Sequence, residues 1–266
     1  MSGALLKNVI KKNILMTLIF LAIIMMYSVI MISMYSPESI DSLNAMFQVM
    51  PPDVMRALGF TSAFSTLAGY LASWLYGLIM TAFPMVYCIA LGRRLIAKTV
   101  DSGSISCLLA TPCSRIRLIA TKLLYALGST ALMQMVIFAL NLLFIHLMFP
   151  GESMDAMVFL KLNITVMLVN MTAMAITFFC SCLFSDPKLS LGFGAGIPII
   201  FLLLNMLGNV SEESDILKDF SIYGWYDPVG IANGDGTLAI NMIYIAIIAV
   251  LSAASIIVFR KKQLTV

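Results

Sequence analysis

The sequence predicts an all-α polytopic integral membrane protein with six transmembrane helices, and three observations lead there. The chain of 266 residues is 61% hydrophobic and only 11% charged, with a mean hydropathy of +1.00, far above that of a soluble domain. Its charged residues leave six long uncharged intervals, at 13–37, 57–92, 123–151, 162–185, 189–211 and 236–259. The shortest has 23 residues, and a helix crosses a hydrocarbon core of about 30 Å with roughly 20. Finally, no stretch alternates apolar and polar residues in the segments of about ten that a membrane β-barrel requires.

The basic residues set the expected orientation. With the N-terminus inside, 13 of the 16 Lys and Arg residues are cytoplasmic, and only Arg56, Lys161 and Lys218 lie outside. Of the 13 acids, 11 fall in the outer segments; Asp101 and Asp186 are the exceptions. Both termini are thus expected in the cytoplasm. The net charge of +3 averages a basic inner surface and an acidic outer one, and gives no sign of a nucleic-acid partner. No cysteine falls in an outer segment, so Cys88, Cys107, Cys113, Cys180 and Cys182 read as small apolar packing residues in a reducing compartment.

Residues 1–13 read as an amphipathic interface helix on the inner leaflet: Leu5, Leu6, Val9 and Ile10 share one side, with Lys7, Lys11 and Lys12 on the other. The apolar run after Lys12 is too long for a signal peptide and lacks a cleavage site, so it is a retained first span. In a single transmembrane domain over 1–266, spans are expected at about 14–35, 69–93, 118–148, 160–184, 189–208 and 237–259. In the outer segment 36–66, Asp53 after Pro51-Pro52 is placed to cap a short helix ending at Gly59. Pro84 should kink span 2. The short turn Pro150-Gly151-Glu152 makes spans 3 and 4 antiparallel neighbours, and Ser185-Asp186-Pro187-Lys188 reverses the chain before span 5. Gly192, Gly194 and Gly196 invite close helix contact. Trp225-Tyr226, before span 6, read as part of an interface belt.

Several chemistries lack their residues. The only histidine, His146, has no visible partner set, no hydrolase elbow or zinc motif occurs, and no metal site is expected. The six uncharged intervals hold no Asp, Glu, Lys or Arg of the kind a gradient-driven carrier uses; Gln134, Asn141, Asn170 and Asn205 are among their large polar residues. The first three are candidates for a polar pathway, with interhelical packing as the simpler role for each. No phosphate-binding loop is present, so if the chain transports, its energy comes from another subunit. The inner segment between the second and third uncharged intervals is the natural docking surface, since it carries six basic residues from Arg93 to Lys122.

That segment reads Asp101-Ser-Gly-Ser-Ile-Ser-Cys-Leu-Leu-Ala-Thr-Pro-Cys-Ser-Arg115, with Lys122 seven residues on. It resembles the signature of the type-2 ABC exporter permeases: an acid, Gly-Ser/Thr, Leu-Leu, Pro-x-Ser-Arg and a downstream Lys. The layout is similar too, down to Tyr226-Asp227-Pro228 before span 6 and the tail Phe259-Arg-Lys-Lys262. Only Asp101 stands where the family often has several acids. The residues themselves describe a short stiff helix: Gly103 opens it, Ile105, Leu108 and Leu109 form an apolar edge, and Pro112 stops it before Ser114 and Arg115.

The resemblance implies a cytoplasmic coupling helix within 98–117 that fits a cleft on an ATPase subunit. It also implies a permease without ATPase chemistry of its own, working with a second permease copy or a homologous one. Two ABC ATPase subunits would bind ATP and Mg, with membrane lipids around the complex and no cofactor in this chain. A multi-pass place in the cell (plasma) membrane of a bacterium follows. The alternatives are a non-transporting membrane scaffold or receptor subunit, and a gradient-driven carrier.

Overall fold

The computed structural model describes residues 3–35, 51, 54, 67–97, 114–150, 155–210 and 214–262. Six helices in it are long and apolar enough to cross a membrane: Gly3–Ser33, Leu67–Leu95, Arg115–Met148, Ala156–Leu183, Pro187–Gly208 and Leu238–Lys261, here spans 1 to 6. The described residues contain no strand. Polar caps fix where spans 3, 4 and 5 begin. Ser114 accepts from the Arg117 amide at 3.3 Å, Asp155 from Met157 at 2.8 Å and Asp186 from Lys188 at 2.7 Å. Pro187 follows its cap at the first turn, where a missing N–H costs nothing.

Span 1 runs unbroken from Gly3, because no proline or glycine interrupts it before Ser33. The basic stretch expected as an interface helix therefore forms the first turns of that helix. Lys7, Lys11 and Lys12 are all exposed there. A helix of 31 residues measures about 46 Å, longer than the hydrocarbon core, so its basic end has room to stand clear of the lipid tails.

Span 4 is the centre of the bundle. It packs against spans 2, 3, 5 and 6, whereas span 1 lies outside, on spans 3 and 2. Large buried rings fill the contacts, among them Tyr76, Tyr87, Phe159, Phe178, Tyr244 and Phe259.

Two of the spans next to span 4 contain an internal proline, and span 4 serves both. Pro84 has no N–H, so the Met80 carbonyl one turn earlier loses its helical donor; the Asn170 amide of span 4 donates to it at 2.9 Å. Pro198 does the same to Gly194 in span 5, and the Thr177 hydroxyl donates to that carbonyl at 2.9 Å. Asn170 and Thr177 are two turns apart and share a face. Thr177 also marks a close approach of spans 2 and 4: a Cβ on Gly92 would sit 2.6 Å from its methyl group. Of the three glycines expected to bring helices together, only Gly194 meets span 4; around Gly192 and Gly196 the space is open. The others point away because alternate positions on a helix cannot face one neighbour.

Ahead of Pro84, residues Ala72–Ile79 are wound as a π-helix. The Thr81 hydroxyl donates back to the carbonyls of Gly77 at 3.1 Å and Leu78 at 2.8 Å. Such wide turns leave carbonyls under-served and are found disproportionately at functional positions.

The chain between spans 5 and 6 is re-entrant. Ser221 donates to the Phe201 carbonyl at 2.6 Å, and Tyr244 to the Ile222 carbonyl at 2.6 Å. These partners lie inside spans 5 and 6, roughly 10 Å below their ends at 1.5 Å per residue. The short helix Pro228–Ala232 packs against the π-helix and span 4. This corrects the expected aromatic belt: Tyr226 is only 5% exposed, inside the bundle, and Trp225 is half-buried with its indole N–H on the Asp219 carbonyl at 3.0 Å. Irregular backbone at this depth is tolerated because protein, not lipid, surrounds it.

Candidate functional site

The segment with the strongest sequence pattern lies mostly outside the described residues: Asp101, Gly103, Ile105, Leu108, Leu109 and Pro112 all fall within 98–113. Its borders are described, and both are tied into the bundle. On the entering side, span 2 ends at Leu95, whose carbonyl accepts from the Lys122 ammonium at 2.6 Å. Lys122 is 4% exposed, so span 3 carries a buried cation on the terminal carbonyl of span 2. On the leaving side, Ser114 caps span 3 and Arg115 donates to the Lys262 carbonyl at 3.1 Å. Lys262 in turn donates to the carbonyls of Cys182 at 2.9 Å and Phe184 at 2.8 Å.

The chemistry of these contacts is that of helix ends. The last carbonyls of a helix have no donor of their own and carry the negative end of its dipole, so an ammonium group is well placed there. Lys122 does this for span 2 and Lys262 for span 4. Partial burial lowers the pKa of the Lys262 ammonium. Arg94 adds a third tie at the same end of the bundle, donating to the Lys12 carbonyl of span 1 at 2.8 Å. The sequence marks Lys122 and Arg115 as parts of the motif, whereas Lys262 stands out only as the end of the basic tail after span 6. The signal available was its place immediately after span 6, where a long cation can reach a neighbouring helix end.

The three interior amides are all buried. Gln134, on span 3, has both amide atoms buried with no partner among the described residues, and Asn141, on the same helix, is buried beside the Tyr76 hydroxyl. Asn170 is committed through its NH2 group to the Met80 carbonyl. A residue not singled out in the sequence, Asn163, accepts from the Tyr76 hydroxyl at 2.9 Å and joins spans 2 and 4 nearer the N-terminal end of span 4. The structure does not bring Gln134, Asn141 and Asn170 to one solvent-facing surface; each is buried within the bundle. His146 is exposed near the C-terminal end of span 3, and no group of three metal-ligating side chains occurs among the described residues.

A cavity of about 310 Å³ with mixed polar and apolar walls opens beside the π-helix, bounded by Gly77 and Thr81 of span 2, Asn205 of span 5 and Asn209 just past its end, and Asp227 and Asn233 of the re-entrant segment. Nothing in the hydropathy pattern signals it, because its walls come from three separate stretches of chain.

A comparison with the curated proteins finds no match. A family model does match, over residues 6–264, and it describes an ABC-2 family transporter protein. Six apolar helices, tied borders around the inner segment and a match along nearly the whole chain place this protein in the ABC-2 transporter family, as the membrane-embedded permease of an ABC transporter.

Proposed function

We propose that the chain is the membrane subunit of an ATP-driven exporter, in which two six-span halves line a pathway and two separate ATPase subunits dock on the 98–117 segment. The N- and C-termini face the ATPases in the cytoplasm, as the distribution of basic residues favours. ATP and Mg are bound by the ATPases; this chain converts their motion into movement of its spans. The apolar faces of spans 1, 3, 5 and 6 meet lipid or the second half of the permease.

The observation that carries the reading is the chain of contacts from Arg115 through Lys262 to the end of span 4. A force applied at the docking segment needs a stiff route into the bundle, and rigid-body motion follows only if the segment does not give way at its roots. Lys122 on Leu95 secures one root, and the Arg115–Lys262 link secures the other and joins it to spans 4 and 6. Span 4 then reaches spans 2, 3, 5 and 6 directly.

The test is co-purification with candidate ATPases, followed by ATPase assays in lipid with Leu109→Asp or Arg115→Glu. Either change is expected to weaken assembly or to abolish stimulation of ATP hydrolysis by the permease. Wild-type assembly and activity in both variants would overturn the assignment.

A further inference from the structure

The outer cavity has an unusual wall for a place inside a membrane bundle. Asn205 lies in the last turn of span 5, Asn209 caps that helix one turn further on, and Asn233 comes from the re-entrant segment. Among the described residues, the side-chain amides of these three have no hydrogen-bond partner. The one cation on the wall is engaged within its own segment: Lys218 is held by Asp215 at 2.8 Å. One oxygen of Asp227 accepts from the amides of Val229 and Gly230, both at 3.0 Å, which leaves its other oxygen and its negative charge on the wall. Free amides and a carboxylate oxygen are therefore the groups on offer, beside Thr81 and the wide π-helical turn at Gly77.

We infer that this cavity binds a polyhydroxyl group free of negative charge, a single sugar ring or polyol, either free or as the headgroup of a lipid. An anionic ligand would need an unspent cation to offset its desolvation, and the wall offers none and has the Asp227 carboxylate to repel it. Each amide presents two donors and an acceptor, and a hydroxyl carries both functions on one atom, so several hydroxyls on a ring satisfy several amides at once. The volume of about 310 Å³ is at the lower end for ligand pockets, which fits one ring rather than a whole amphiphile. Span 5 ends just beyond Asn205, at Gly208, so the cavity lies at the height of lipid headgroups as well as of solutes outside the membrane.

This inference stands apart from the ATPase reading, and its test contains no ATPase. The chain has two tryptophans, Trp74 and Trp225, and Trp225 sits between Gly224 and Tyr226, both of which line the cavity. Trp225 emission would be followed in a Trp74→Phe chain held in phosphatidylcholine nanodiscs. The probes are methyl glucoside in solution, monoglucosyl diacylglycerol in the disc, and glucose 6-phosphate as the anionic counterpart. A saturable change with a neutral probe is expected, at least about tenfold weaker for the sugar phosphate. Asn205→Leu and Asn209→Leu should each weaken it roughly five- to tenfold, the worth of one good hydrogen bond. Asn233→Ala, on the exposed wall, does the same without touching a span, and so decides the matter if a span variant misfolds. Response to the soluble glycoside assigns a free ligand, and response to the glycolipid alone assigns a headgroup. No saturable change with either neutral probe, equal binding of glucose 6-phosphate, or undiminished binding in Asn233→Ala would overturn the inference.

Discussion

Replacing Asn170 with leucine removes the donor that serves the carbonyl Pro84 leaves open, while keeping a side chain of similar size in the contact between spans 2 and 4. The Met80 carbonyl then has neither its helical partner nor the Asn170 amide, now 2.9 Å away. A buried acceptor left unmade costs about 1–3 kcal/mol, and hydrogen bonds between membrane helices average about 0.6 kcal/mol with a maximum near 1.7. The expected loss for Asn170→Leu is therefore about 1–2 kcal/mol. Pro84→Ala changes the answer, because an alanine N–H at that position can bond Met80 within its own helix. In the Pro84→Ala background Asn170→Leu should cost about 1 kcal/mol less. Unfolding of the purified chain by SDS in mixed micelles measures all four corners of this cycle. Equal costs in both backgrounds would show that Asn170 acts through packing alone and would refute the donor argument.

Three further outcomes follow from the same geometry. Gly92→Ala should destabilise the bundle by about 1–3 kcal/mol by overpacking against the Thr177 methyl group, and Thr177→Ser, which lacks that methyl, should restore most of the loss in the same SDS titration. Lys262→Ala should lower the transport achieved per ATP hydrolysed severalfold in reconstituted complexes while assembly persists, and Lys262→Arg should retain more of the coupling; an unchanged ratio in Lys262→Ala would remove this residue from the transmission route. Tyr244→Phe deletes the 2.6 Å bond to Ile222, and should cost about 1 kcal/mol and raise the rate at which a thiol placed at Trp225 is labelled from outside.

The six spans were legible because one quantity governs both sequence and structure, the cost of placing charge in lipid. The uncharged interval 123–151, for example, corresponds to span 3, whose basic first turn at Arg115 and Arg117 lies beyond it. Asp186 and Pro187 likewise announced the start of span 5 through local chemistry. The π-helix, the re-entrant segment and the cavity were not legible, since Gly77, Asn205 and Asn233 are distant in the chain and meet only through packing. Asn170 stood out as a polar residue in an apolar span, but its partner depends on knowing that span 4 faces span 2. A proline within a span is nevertheless a readable demand for a donor elsewhere, and Asn170 and Thr177, two turns apart, are the kind of pair to search for. The 98–113 pattern, clearest in the sequence, falls outside the described residues; its meaning here rests on its anchored borders and on the family match.

The two proline repairs differ in the order in which a ribosome makes their parts. Gly194 follows its donor Thr177 by 17 residues, so the hydroxyl is already in place when Pro198 emerges. Met80 precedes Asn170 by 90 residues. At about 5–20 residues per second, span 2 therefore waits roughly 5 to 18 s with a carbonyl that no part of the nascent chain yet made in span 4 can serve. During that interval span 2 must keep the open turn near water, the translocon or another early helix, and it can settle against lipid only after span 4 arrives.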